Sequence, residues 1–146
     1  LTYSLINPDH NLLIPPIAEP ARQDNLWQHT CCEAFIGIIN QPQYLEFNFS
    51  PSGEWASYAF SHYRERADWP DPASPEIRTI KTDTDLQLEA TILLDTLPEA
   101  FQHQSLELGI STVLEDKHQN LAYLALAHSQ ETPDFHRRDQ WIRLTP

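Results

Sequence analysis

Every second residue is apolar in three separate stretches of this sequence, and a chain so patterned is built to form strands covered on at least one face. In Tyr44–Ser50, Leu45, Phe47 and Phe49 fall on one side, with Tyr44, Glu46, Asn48 and Ser50 on the other. In Asp85–Leu94, Leu86, Leu88, Ala90, Ile92 and Leu94 alternate with Gln87, Glu89 and Thr91. Leu106–Leu114 sets Leu106, Leu108, Ile110, Thr112 and Leu114 against Glu107, Gly109 and Ser111. Further short β-rich runs are Leu1–Ile6, Cys31–Ile39, Glu54–Phe60, Glu76–Thr82, Leu121–Leu126 and Gln140–Leu144. Helical periodicity is weak, and only Thr96–Gln102 offers a single turn. Many short strands between turn signals predict an all-β fold, an immunoglobulin-like β-sandwich of two antiparallel sheets.

Twelve prolines and three glycines punctuate the runs. Pro15 and Pro16 are expected to end an early short strand, while Asn40–Gln43 and Pro51–Gly53 read as tight connections. Arg64–Pro75, rich in Asp and Pro, reads as the longest surface loop. With no internal repeat and no break in composition, 146 residues fit a single domain over 1–146.

A formal charge of −12 repels phosphate backbones and anionic lipid surfaces, and the nine Lys and Arg are scattered, so neither nucleic acid nor membrane is an expected partner. No stretch approaches the roughly 18 apolar residues of a spanning helix, and Leu1–Asn7 lacks the basic and apolar regions of a signal peptide. Cys31 and Cys32 are adjacent, so on a strand they point to opposite faces and do not bond each other. Two unpaired thiols favour a reducing compartment, such as the cytoplasm.

The seven histidines show no i,i+4 pair and no HxH, and no Cys/His spacing of a zinc site occurs, so no metal is expected. Ser50 lacks a GxSxG frame. Glu33 and Glu46 could lie on neighbouring strands, as a glycosidase pair does, yet two carboxylates among 21 acidic residues are weak grounds for catalysis. No catalytic residue and no cofactor is assigned.

Two segments stand out. In Asp24–Phe35, a loop carrying Trp27 runs directly into a strand carrying Glu33. An aromatic plate beside a carboxylate suits a sugar, because the ring packs on C–H faces while the carboxylate accepts from hydroxyls. The same residues equally suit a core-capping Trp and a satisfied buried Glu. In Pro133–Trp141, Phe135, His136 and Arg137 precede the last strand, either closing over a ligand opposite Trp27 or pinning the loop to the core.

At these segments the chain resembles the DOMON-like relatives of the family 9 carbohydrate-binding modules, particularly a stand-alone bacterial group. The matching stretches are Leu-Trp-Gln-His-Thr-Cys-Cys-Glu-Ala-Phe (26–35), Tyr-Leu-Glu-Phe-Asn-Phe-Ser-Pro-Ser-Gly-Glu-Trp (44–55) and Pro-Asp-Phe-His-Arg-Arg-Asp (133–139), with Tyr58–Phe60 and Tyr63-Arg64 between them. The resemblance implies a DOMON-type sandwich with a sugar or haem against one sheet. It also implies that Trp27, and Glu33 six residues on, belong to the site, completed by Phe135 or Trp141. Sugar-binding members carry an Arg on the strand after the Glu, where this chain has Glu46 before Asn48; Arg64 is the replacement donor. Haem-binding relatives use a Met and a His, and this chain has no Met. The expected ligand-binding set is therefore Trp27, Glu33, Glu46, Asn48, Arg64, Phe135 and His136. The expected partner is a saccharide or similar polyhydroxylated molecule, the alternatives being haem carriage, tested at His128 and His136, and a protein partner.

Overall fold

Alternation of side chains across a strand lets one strand feed two different layers, and that is how this chain is built. The computed structural model of the protein describes all residues except 7, 8, 10, 71, 73, 129–132, 145 and 146. Among them are ten strands: β1 (Thr2–Ile6), β2 (Cys31–Ile38), β3 (Tyr44–Phe49), β4 (Trp55–His62), β5 (Glu65–Ala67), β6 (Glu76–Lys81), β7 (Asp85–Thr91), β8 (Leu106–Glu115), β9 (Leu121–Ala125) and β10 (Ile142–Arg143). They form two antiparallel sheets, a three-stranded one ordered β1-β7-β6 and a seven-stranded one ordered β10-β8-β2-β3-β4-β5, with β9 also paired to β8. The fold is an all-β sandwich.

The main core lies between the sheets. Cys32, Ala34, Ile36 and Ile38 of β2 and Leu45, Phe47 and Phe49 of β3 meet Tyr3 of β1 and Leu88 and Ala90 of β7. Tyr3 also ties the layers with a polar contact, its hydroxyl donating to the main-chain carbonyl of Glu33 at 2.7 Å. A second apolar cluster covers the opposite face of the large sheet: Leu26, Cys31, Phe35, Tyr44, Ala56, Tyr58 and Phe60, with Phe135 and Trp141 packed on it. Cys31 and Cys32 thus serve different cores, and both are free, buried thiols.

This second cluster closes the polar side of Tyr44–Ser50: Glu46 is 6% exposed and Asn48 is fully buried. Segments distant in sequence roof that face, Leu26 from one side and residues 135–141 from the other. Strand ends differ from expectation. Leu94 is not core but exposed, because β7 ends at Thr91 and a 3-10 turn, Leu94–Thr96, follows. Among the described residues between β1 and Pro15 there is no further strand, and Leu12 forms an isolated bridge to Asp116. The loop expected over Arg64–Pro75 holds β5, whose Arg66 pairs with Phe60 of β4. The last strand is shortened to Ile142–Arg143 by a 3-10 turn at Arg138–Gln140.

Candidate functional site

The roofed face of the large sheet is where the chemistry collects. Register places Glu33 opposite both Asn48 of β3 and Ser111 of β8, and places Glu46 opposite Phe35 and Tyr58. Glu33 and Glu46 are therefore diagonal neighbours on one face. Above them lies a cleft of about 420 Å³ whose floor includes Glu33, Phe35, Glu46 and Phe60. Trp27 and Val113 line one part, Arg64 and Arg66 another, and Tyr123 and His136 complete the wall.

Trp27 sits on the 3-10 turn Leu26–Gln28. The buried Leu26 anchors that turn in the second cluster, leaving the Trp27 ring 44% exposed at the cleft. Asp24 steadies the same loop by accepting from the Tyr58 hydroxyl at 2.8 Å.

On the opposite wall, the segment from Pro133 to Trp141 is strapped to the sheet. Trp141 and Arg138 occupy a slot over Gly37 and Gly109; a Cβ at Gly109 would come within 2.5 Å of the Trp141 ring nitrogen, and one at Gly37 within 2.7 Å of the Arg138 guanidinium. Arg138 donates to Glu107 at 2.5 Å and to the Ile38 carbonyl at 2.6 Å, and also to the Gln41 carbonyl. Farther along, Asp134 takes Arg64 at 2.9 Å and the Tyr63 hydroxyl at 2.5 Å, clamping the strap to the β4–β5 turn.

His136 is wedged edge-on among Phe35, Tyr44 and Phe60. Its Nδ1 is 2.7 Å from the Tyr44 hydroxyl. That hydroxyl also accepts the Arg64 main-chain N–H at 2.9 Å, and the tautomer that takes the phenolic proton at Nδ1 leaves the imidazole hydrogen on Nε2. Nε2 faces Glu46 at 3.7 Å. Burial, with Arg64 and Arg66 adding to it, holds the His136 pKa down to about 4, so the ring is neutral near pH 7 and this contact is dipolar.

The two carboxyls are strongly perturbed. Burial pushes Glu33 up to about 8, the neighbouring Glu46 adding to the rise and the Ser111 hydroxyl opposing it with a 2.7 Å bond to Oε2. Burial also raises Glu46, while the Asn48 amide, donating at 2.7 Å, and then Arg66 and Arg64 pull it back.

Five of the seven expected residues, Trp27, Glu33, Glu46, Arg64 and His136, line this cleft. Asn48 does not, because its amide is spent beneath the floor on Glu46 and its carbonyl faces the Cys31 thiol. Phe135 does not line the cleft either and instead packs on the Tyr123 and His128 rings. Trp141, too, is a structural wedge rather than a cleft wall. His128 does not line the cleft, and its ring packs at a tilt on that of Phe135, with centroids 6.3 Å apart. Sequence reading missed Arg66, whose guanidinium lies 4.0 Å over the Tyr58 ring, and Tyr123. The alternating Arg64-Glu65-Arg66 was the available signal for the first. Among the described residues no group of three or more His, Cys, Asp or Glu is placed to hold a metal ion. No helix among them is long and apolar enough to cross a membrane.

The fold has a solved counterpart. The chain is similar to a crystal structure from Bacteroides uniformis ATCC 8492, named as a candidate carbohydrate-binding protein, with a TM-score of 0.65 and 14% identity over 97% of this chain and 69% of that one. At that identity the likeness is one of fold. No family model matches the chain, and no curated protein does.

Proposed function

We propose that the chain is a non-catalytic binding module, a DOMON-like relative of the family 9 carbohydrate-binding modules acting as one domain. Its cleft takes a saccharide or similar polyhydroxylated small molecule. The observation that carries this reading is the half-exposed Trp27 at a cleft whose floor presents Glu33 and Glu46. The ring supplies a face for sugar C–H groups, and the carboxyls, the His136 N–H and Arg66 supply acceptors and donors for hydroxyls. A fold shared with a candidate carbohydrate-binding protein supports it.

One feature favours binding over catalysis: Glu46 is held by the Asn48 amide and faced by a neutral imidazole, an arrangement that fixes geometry rather than shuttling protons. Haem carriage finds less support, since Nδ1 of His136 is bonded to the Tyr44 hydroxyl and Nε2 faces Glu46. Because sugar hydroxyls exchange water for protein partners with small net gain, affinity on the order of 0.1–1 mM is expected.

The test is a thermal-shift screen against mono- and oligosaccharides, run beside a haem titration, with Trp27→Ala as the control. A sugar-dependent rise in Tm that is lost in the folded Trp27→Ala protein is the expected result. No shift with any sugar, accompanied by a Soret band on haem addition, would replace this reading with a carrier.

A further inference from the structure

The two carboxyls on the cleft floor are matched unequally. Glu46 has the Asn48 amide at 2.7 Å, the His136 Nε2 at 3.7 Å, and the fields of Arg64 and Arg66. Glu33, 3% exposed, has one hydroxyl, that of Ser111. Around it, the Tyr3 hydroxyl from the facing sheet is committed to the Glu33 main-chain carbonyl, and the flanking Cys31 and Cys32 thiols are buried and neutral. Asn48 across the ladder donates to Glu46, and Glu46 itself is a like charge. Neither cleft arginine is free to compensate: Arg64 is paired with Asp134 at 2.9 Å, and Arg66 lies on the Tyr58 ring, toward Glu46. Among the described residues, Glu33 has no ion-pair partner.

A carboxyl sunk in an apolar setting at the bottom of an open cleft stays largely protonated near pH 7 until a cation arrives to match it. Trp27 and Tyr123 line the same cleft, and aromatic faces attract cations as well as sugar C–H groups. We propose, resting on the saccharide reading above, that the Glu33 end of the cleft receives an ammonium group, so that the ligand class is an amino-bearing saccharide rather than a neutral one. The ammonium donates to Glu33 opposite the Ser111 bond, while hydroxyls at the other end meet Glu46, the His136 N–H and Arg66.

The experiment is titration calorimetry at pH 7 in 0.15 M salt, using a panel of mono- and oligosaccharides each offered with an amine, an acetamide or a hydroxyl at C2. The expected result is at least about tenfold tighter binding of the amine form, as a charge-assisted bond gives over a neutral one. Glu33→Gln, which still accepts the Ser111 bond, is expected to bring that preference close to unity. Equal affinity for the three forms, or a preference that survives Glu33→Gln, overturns the inference and leaves the saccharide reading standing. Binding of none of the panel overturns the saccharide reading itself. Should the variant fail to fold, the wild type answers alone. The ¹³Cδ resonance of Glu33 must move from a protonated to an ionised position on adding the amine form, and an unmoved resonance overturns the inference.

Discussion

Glu33 is the residue whose environment departs furthest from what its type prefers. A glutamic acid alternating with Cys31, Phe35 and Gly37 on one face of β2 is surrounded by a cluster built from aromatic rings and small residues. Its pKa of about 8 stands above the ordinary 4.5, so the folded state holds the proton more tightly than the unfolded state does. Such a group contributes no penalty below about pH 4.5, and its penalty grows as pH rises from there towards 8. Glu33→Gln keeps the acceptor for Ser111 and cannot ionise. In the absence of ligand, its stability relative to wild type is therefore expected to rise through pH 5–8, reaching on the order of 2–4 kcal/mol at the alkaline end. Urea unfolding of both proteins at several pH values measures this directly. A constant difference across the range would mean that Glu33 is solvated in the free protein. Neither the burial of Glu33 nor that of Asn48 was legible locally, since each stands in an alternating strand as an outward polar residue would. The cluster over that face is closed by Phe135 and Trp141, remote in sequence from both.

At the scale of the element, the strap from Pro133 to Trp141 depends on two glycines that it does not itself contain. Gly37 of β2 and Gly109 of β8 leave a slot on the sheet, and Trp141 and Arg138 fill it. The two positions should not respond alike to a methyl group. At Gly37 the nearest atoms are the Arg138 guanidinium at 2.7 Å and one edge atom of the Trp141 ring at 2.9 Å, whereas at Gly109 the three nearest atoms, from 2.5 Å, all belong to the rigid Trp141 indole. Gly109→Ala is expected to destabilise by about 1–3 kcal/mol, as overpacking does, and Gly37→Ala by less. Gly109→Ala also displaces the strap that carries His136, so saccharide affinity falls with it, readable by Trp fluorescence and the same thermal-shift screen. If Gly109→Ala were as stable as wild type and bound as well, the slot would not hold the strap. Most strands were legible because their apolar residues alternate, as in Leu45, Phe47 and Phe49. Strand β5 was not: Glu65-Arg66-Ala67 is three exposed residues at a sheet edge, defined by hydrogen bonding to β4 rather than by any apolar pattern. The role of Trp141 was equally hidden, because a wedge into a slot between distant glycines leaves no periodic trace. Trp27 and Glu33 both line the cleft because a short loop joins them and the register of β2 turns position 33 to that face.

For the whole molecule, perturbed groups of opposite sense set the pH of greatest stability. His136 is held neutral, its pKa near 4 against an ordinary 6.5, so stability falls as pH drops through that interval. Asp134, lowered by Tyr63 and Arg64 against the opposing effect of burial, removes more as it protonates below about 3.8. Glu33 works the other way from about 4.5 to 8, and the raised Glu46 acts in the same sense. Between about 4.5 and 6.5 the His136 gain and the Glu33 loss oppose each other, roughly one proton apiece, which leaves a plateau. Above 6.5 only the carboxyl penalty remains. Self-repulsion of a chain carrying a formal −12 adds to it, and this repulsion vanishes near the pI of about 4.8. The ligand-free protein is therefore expected to be most stable between about pH 4.5 and 6.5, with Tm declining steadily towards pH 8, measured by calorimetry in buffers of constant ionic strength. A cation bound at Glu33 would remove part of that decline, so an amine-bearing ligand should stabilise most on the alkaline limb, up to the pH where the amine itself loses its proton. A Tm that instead climbed through pH 7–8 in the free protein would require both floor carboxyls to be ionised and matched already, and the cleft would then have no charge left for a ligand to satisfy.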